Sequence, residues 1–142
     1  MTKCNRKKQL LGKSIRNVRM RRNMTQRALA KATDGVSESA LRSYELGERS
    51  PKQDALERIA KALDVAPACF DTYGIEHYHE LMHALFLLED RFGIEPCADG
   101  NIRLTDETIQ SCVYTWWSWK EFLKEGKITR EEYENRKDSF LR

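Results

Sequence analysis

The sequence predicts a mainly α-helical protein built from two modules, with one β-hairpin in the second. Three observations predict it. Apolar residues recur at three- and four-residue spacing along most of the chain. The sign of the charge reverses near the middle. Asp99-Gly100 sits between two short extended runs, a strong local hairpin signal.

The elements follow in chain order. From about Gln9 to Arg22, Leu11, Ile15, Val18 and Met20 fall near helical spacing among basic residues. Thr25 is placed to N-cap a second helix carrying Ala28, Leu29 and Ala32. Asp34-Gly35 marks a turn. Ser37 reads as the N-cap of a short third helix that stops at Leu46-Gly47, where Gly ends it. Ser50-Pro51 opens a fourth segment with Leu56, Ile59, Ala60 and Leu63 on one stripe. Pro67 begins a last short helical turn through Phe70.

Composition and charge change around Asp71 to Gly74, so the modules are set at residues 1–71 and 72–142. A helix from about Ile75 to Arg91 places Tyr78, Leu81, Met82, Leu85, Leu88 and Phe92 at core spacing. The hairpin around Asp99-Gly100 follows, and Pro96 makes its strand an edge strand. A long helix from about Asp106 to Lys124 holds Ile109, Val113, Trp116, Trp119 and Leu123, and Gly126 ends it. Thr129 and Glu132 match a capping box and open a final helix to about Phe140.

The chain has 142 residues and a formal charge of +3. Residues 1–66 hold 16 Lys/Arg against 7 Asp/Glu, a net of +9; residues 67–142 hold 9 against 15, a net of −6. The basic half suits a polyanion, or is a solvated basic face; charge alone leaves both open. No apolar run approaches the roughly 20 residues of a membrane span. The basic N-terminus lacks the apolar stretch of a secretory signal, so a cytoplasmic location and no membrane partner are expected. Cys4, Cys69, Cys97 and Cys112 form no C-x-x-C pair and are expected as free thiols.

Two helices joined by a tight turn, the second short and polar on its outer face, form a helix-turn-helix. The stretch runs from Thr25-Gln26-Arg27-Ala28-Leu29-Ala30 through Gly35-Val36-Ser37 to Leu41-Arg42-Ser43-Tyr44-Glu45-Leu46-Gly47. It resembles the Cro/repressor (XRE) family of helix-turn-helix transcriptional regulators, with their T-Q-x-x-L-A, G-V-S and I-S-x-Y-E-x-G pattern. The resemblance extends from about Leu11 to Phe70, including Pro51 to Val65. It implies a five-helix, lambda-repressor-like domain that binds double-stranded DNA as a homodimer. Ala30 is small enough for close helix crossing, and Val36 and Leu41 bury the inner face of the third helix. The outer face, about residues 37–46, is left free for the major groove.

By that resemblance Glu38, Ser39 and Ser43 face base edges. Glu can accept from cytosine N4, and Ser is less selective. Glu38 equally suits a bland role, complementing the helix dipole. Gln26, Ser37 and Arg42 are implied phosphate contacts that fix register without reading sequence, and Arg27 joins this DNA-facing set. Arg19 and Glu45 match a family pair that forms a partly buried salt bridge between the first and third helices. One departure stands out. The family usually places three residues between L-A and G-V-S; here Lys31, Ala32, Thr33 and Asp34 stand there. Ala32 or Thr33 must replace a larger apolar residue, and the tilt of the recognition helix changes with the turn.

The second half says less. The segment Tyr78 to Phe86 resembles the C-terminal extension of short regulators from Gram-positive bacteria, and Trp119 to Leu141 loosely resembles an L-x-x-G-x-I-T-x-E-E-Y oligomerisation hairpin. His79 and His83 lie one turn apart, but only His77 and Glu80 are near to complete a metal site, so they read as ordinary histidines and no metal or cofactor is expected. Trp116, Trp117 and Trp119 cannot all face one way, which puts at least one at an interface. No phosphate loop, nucleophile motif or paired carboxylates point to an enzyme. The expected function is sequence-specific DNA binding as a dimer. The alternative gives the second half an antitoxin-like protein partner or a small-molecule effector.

Overall fold

The structure, a computed structural model, describes residues 3–71 and 73–140. The expectation for the Cys4 thiol and the last step of the Trp119–Leu141 resemblance lie outside the described side chains. The chain forms two compact units: residues 1–73 with 134–142, and residues 74–133.

The first unit contains α1 (Lys3–Arg21), α2 (Gln26–Ala32), α3 (Glu38–Glu45), α4 (Gln53–Leu63) and a 3-10 turn (Pro67–Phe70). α1 starts six residues before the apolar spacing alone would place it. Its first turns, Lys3 to Lys8, are polar, so a hydrophobic pattern cannot report them. The local signals account for the other boundaries. Thr25 Oγ1 accepts from the Ala28 N–H at 3.0 Å, and Ser37 Oγ accepts from the Ala40 N–H at 3.1 Å. Each satisfies one of the orphan donors at a helix start. Gly35 turns with φ +84°, and Arg58 Nη1 pins the turn by donating to the Asp34 carbonyl at 2.8 Å.

The core of this unit is Ile15 and Val18 from α1, Leu29 from α2, Val36, Leu41 from α3, Ile59, Ala60 and Leu63 from α4, then Val65 and Phe70. Each fully buried aliphatic side chain here is worth about 1.5–3 kcal/mol over exposure. Residues 134–140, which the sequence assigns to the second module, cluster with this unit. The Ala66 N–H donates to the Asp138 carbonyl at 2.8 Å, and Arg21 forms an ion pair with the Asp138 carboxylate. Burial first, then the Asp138 charge, pushes the nearby Cys69 thiol up to about 12 against the opposing pull of Arg21 and Arg22.

The second unit contains α5 (Tyr78–Phe92), β1 (Ile94–Pro96), β2 (Ile102–Leu104), α6 (Glu107–Lys124) and the start of α7 (Arg130–Asp138). α5 begins at Tyr78, three residues after the expected start, because Glu80 folds back to accept from the backbone N–H of Glu76 and His77 and so fixes the first turn there. The strands pair antiparallel as Ile94↔Leu104, Glu95↔Arg103 and Pro96↔Ile102. Asp99 at the hairpin tip accepts from the Asn101 backbone and side chain, which holds its carboxyl below the usual range. Asp106 Oδ1 caps α6 through the Ile109 N–H, and the Thr129–Glu132 capping box opens α7.

The expected core of α5 is not a core in the single chain. No residue of α5 or of α6 is buried; Tyr78, Leu81, Met82, Leu88 and Phe92 are all exposed. Among the described residues, Ile94, Ile128 and Tyr133 are the only buried apolar side chains of this unit. Helical spacing reports that a face is apolar and not what covers it.

Candidate nucleic-acid interface

α3 has two sides of opposite character. Leu41 and Glu45 face inward and are buried, while Glu38, Ser39 and Arg42 are exposed. Ser43 is half-buried. The Ser37 hydroxyl that caps α3 also lies 3.1 Å from the Ser39 hydroxyl. The helix therefore presents a short polar edge, N-terminal end first.

A partly buried ion pair holds that edge in place. Arg19 Nε and Nη2 donate to the two Glu45 carboxylate oxygens at 2.6 and 2.9 Å, a bidentate fork. Arg19 Nη1 donates to the Met24 carbonyl at 2.7 Å, which ties the α1–α2 connection to the same guanidinium. Hydrogen bonding to Glu45 raises the Arg19 pKa further above its ordinary value. Gln26, expected at a phosphate, donates from Nε2 to Glu45 Oε2 at 2.8 Å. In the free protein its amide is thus a third strut of this network, because the buried Glu45 carboxylate has acceptor capacity that Arg19 alone does not fill.

The close approach of α1 to α3 depends on Gly12, which the sequence reading overlooked. A Cβ there would lie 2.9 Å from the Glu45 carbonyl oxygen and closer still to that of Tyr44. Both obstacles are backbone, so neither can swing aside. A glycine inside a helix is otherwise unfavourable by about 1 kcal/mol relative to Ala. Its place in the middle of an apolar stripe was the available signal.

The longer turn resolves in favour of Thr33. Thr33 is 1 % exposed, whereas Ala32 is exposed. Thr33 takes the inward position by donating its hydroxyl to the Leu29 carbonyl at 2.8 Å, so no polar group is stranded in the core. Ala32, the last residue of α2, faces outward, and Val36 keeps its buried place.

These elements enclose an open concavity of about 490 Å³ lined by Arg16, Arg19, Thr25, Gln26, Arg27, Glu38, Arg42, Glu45 and Leu46. Four of the expected DNA-facing residues, Gln26, Arg27, Glu38 and Arg42, therefore share one surface. Ser37, Ser39 and Ser43 lie on α3 or its cap but do not line the concavity. Arg16 lines it and was not singled out from sequence, since nothing distinguishes it from its basic neighbours in α1. Exposed Arg16, Arg27 and Arg42 offer planar guanidinium forks suited to phosphate oxygens. Glu38 adds one carboxylate among them. The chemistry available is anion binding and hydrogen bonding.

The other candidate residues lie in the second unit. The His77 and His79 rings stack at 5.5 Å, and His83 packs edge-on to Phe86 at 6.0 Å. Among the described residues no group of three or more His, Cys, Asp or Glu is arranged to hold a metal ion. Cys69, Cys97 and Cys112 are free thiols. No helix of the described residues is long and apolar enough to cross a membrane.

Residues 15–68 match the family model described as helix-turn-helix. No curated protein and no solved structure matches the chain. The matched segment runs from the first core residue of α1, Ile15, to the 3-10 turn, and contains the α2–turn–α3 pair whose geometry is given above. The first unit therefore carries a helix-turn-helix domain of the Cro/repressor type, the DNA-binding domain of transcriptional regulators.

Proposed function

We propose that the chain is a sequence-specific, double-stranded DNA-binding transcriptional regulator that acts as a dimer, with α3 in the major groove. The observation that carries this reading is the two-sided α3. Its inner side is locked by Leu41 and the Arg19–Glu45 fork, and its outer side presents Glu38, Ser39 and Arg42 beside the arginine-rimmed concavity. A rigid scaffold under a polar edge is what base readout requires, because misplacement of the edge by about 1 Å breaks its hydrogen bonds.

In this reading Glu38, Ser39 and Ser43 face base edges. Arg27, Ser37 and Arg42 contact phosphates, and Arg16 joins them. Gln26 exchanges or shares its Glu45 bond for a phosphate oxygen when DNA binds. Two copies place two such helices about 34 Å apart on one face of the duplex. The test is selection of sites from random duplex DNA by the full chain at fixed salt. The expected product is a pseudo-palindromic motif. Absence of any enriched sequence would overturn sequence-specific recognition.

One observation favours an effector for the second unit. An apolar cleft of about 220 Å³ lies between α5 and the hairpin, lined by residues that include Met82, Leu85, Phe86, Ile94 and Ile102. It is smaller than the roughly 300–1,000 Å³ of drug-sized ligand pockets, so the dimeric DNA-binding reading stands ahead of it.

A further inference from the structure

The second unit carries a surface out of keeping with a lone chain. Of the 18 exposed large apolar side chains among the described residues, 14 lie between Ile75 and Phe122. A compact unit this small has little core to spare, and a two-stranded hairpin adds little stability of its own. Exposed apolar patches on this scale mark interaction surfaces.

α6 carries the most ordered part of this surface. Residues 108–119 hold no charged side chain, although α6 has no buried residue. Along its exposed side Asp106, Gln110, Val113, Trp117, Lys120 and Lys124 recur at alternating spacings of four and three. That is the spacing of a helix–helix seam. All six are exposed; Val113 is 38 % and Trp117 52 % exposed. Read along the helix, the stripe is acidic, polar, apolar, apolar, basic, basic.

Such a stripe is complementary to itself when reversed. Laid antiparallel about its centre, Asp106 of one copy opposes Lys124 of the other, Gln110 opposes Lys120, and Val113 opposes Trp117. Each pair then occurs twice, as a two-fold contact requires. A parallel arrangement sets Asp106 against Asp106 and Lys against Lys. The 18 steps from Asp106 to Lys124 span about 27 Å of helix.

We infer that α6 pairs antiparallel with α6 of a second copy of this chain through this stripe, with Val113 and Trp117 at its centre and Asp106–Lys124 at its ends. This deepens the dimeric part of the reading above by naming the surface that makes the dimer. Tyr114, whose ring lies 5.4 Å from that of Trp117, flanks the seam. Rings already held against each other lose little freedom on docking.

The test is sedimentation equilibrium of the full chain without DNA. The wild-type chain is expected at about twice its 16.6 kDa mass at micromolar concentration. Trp117→Glu should weaken the dimer by about a hundredfold or more, since a central aromatic is lost on both sides and a charge is buried. Lys124→Glu leaves the apolar centre intact and should weaken it about three- to tenfold by setting like charges together at two places. Adding Asp106→Asn should recover most of that loss, because Asn keeps the α6 cap and removes the repulsion. A wild-type chain that stays monomeric at 100 µM, on the order of the weakest specific pairings, would overturn the interface. So would a dimer indifferent to Trp117→Glu, and failure of Asp106→Asn to rescue would overturn the antiparallel register. A monomer that still selects one DNA half-site overturns the interface and leaves the DNA reading standing. A dimer that selects no sequence does the reverse.

Discussion

The two units solve the same problem, covering the apolar face of a short helix, in different ways. The first turns most of its apolar residues inward: Ile15, Leu29, Leu41 and Ile59 are fully buried, and among its described residues Leu10, Met20, Leu46 and Tyr73 are the large apolar side chains left exposed. The second builds helices just as regular and leaves their apolar side chains at the surface. Helix formation is thus not evidence of a completed core. Caps and local spacing suffice for a helix, whereas burial needs a neighbour. In the first unit the neighbour is the same chain.

The largest contrast should come from the Arg19–Glu45 pair, whose side chains are 12 % and 3 % exposed. Replacing Arg19 with Met leaves the buried Glu45 carboxylate with the Gln26 amide but no counter-charge and should cost about 3–5 kcal/mol, read by urea denaturation. Adding Glu45→Leu should return part of that loss. If the single change costs under about 1 kcal/mol, the pair behaves as an exposed one and α3 is not held as described.

Next come matched truncations in the two units. Ile59→Ala should cost about 2–5 kcal/mol, because a fully buried side chain leaves a cavity in a packed core. Leu87→Ala, at a position 48 % exposed, should change chain stability by no more than about 0.5 kcal/mol in the monomeric Trp117→Glu background. A Leu87 effect as large as that of Ile59 would erase the contrast between the units.

How much of this was legible depended on how local the cause is. Thr25, Ser37, Asp106 and the Thr129–Glu132 pair announced helix starts because a cap is settled within four residues. The Arg19–Glu45 fork spans 26 residues and came only through resemblance to a family. Gly12 could be flagged by its place in the apolar stripe, but its role is set by two carbonyl oxygens more than 30 positions away. Thr33 against Ala32 was undecidable by size alone, and the hydrogen bond to Leu29 decides it. The outward stripe of α5 was read as core for the same reason: periodicity names a face and leaves its neighbour unnamed. The DNA-facing set was legible as positions on α3, while Arg16 joined it only once α1 was folded against α2 and α3.

A smaller effect separates the units by pH. The Cys69 thiol is raised from its ordinary value to about 12 by burial in the first unit. Unfolding therefore releases a proton more readily than the folded chain does. The folded state is unaffected below about pH 9 and loses stability between pH 9 and 12. The loss from this group is at most about 1.4 kcal/mol per pH unit. Tyrosines and lysines titrate in the same window, so the difference between wild type and Cys69→Ala isolates it. That difference should be flat from pH 6 to 8 and fall above pH 9, and a flat difference throughout would remove the claim of a half-buried neutral thiol.

The smallest expected effects lie on the outer edge of α3, and they sharpen what that edge does. Arg42→Ala should weaken binding to every sequence by a similar factor and reduce the slope of log affinity against log salt by about one, because a phosphate contact releases one counterion. Ser39→Ala should leave the salt slope alone and change the ranking of sequences, by about 1 kcal/mol or fivefold at the affected base pair. The two readouts divide positioning from recognition on side chains three residues apart. If Ser39→Ala instead shifts all sequences equally, its hydroxyl belongs with Ser37, 3.1 Å away, in supporting the helix start. Base readout would then rest on Glu38 and Ser43. If both substitutions leave DNA binding untouched, α3 does not enter the groove, and the first unit's rigid, two-sided helix serves another partner.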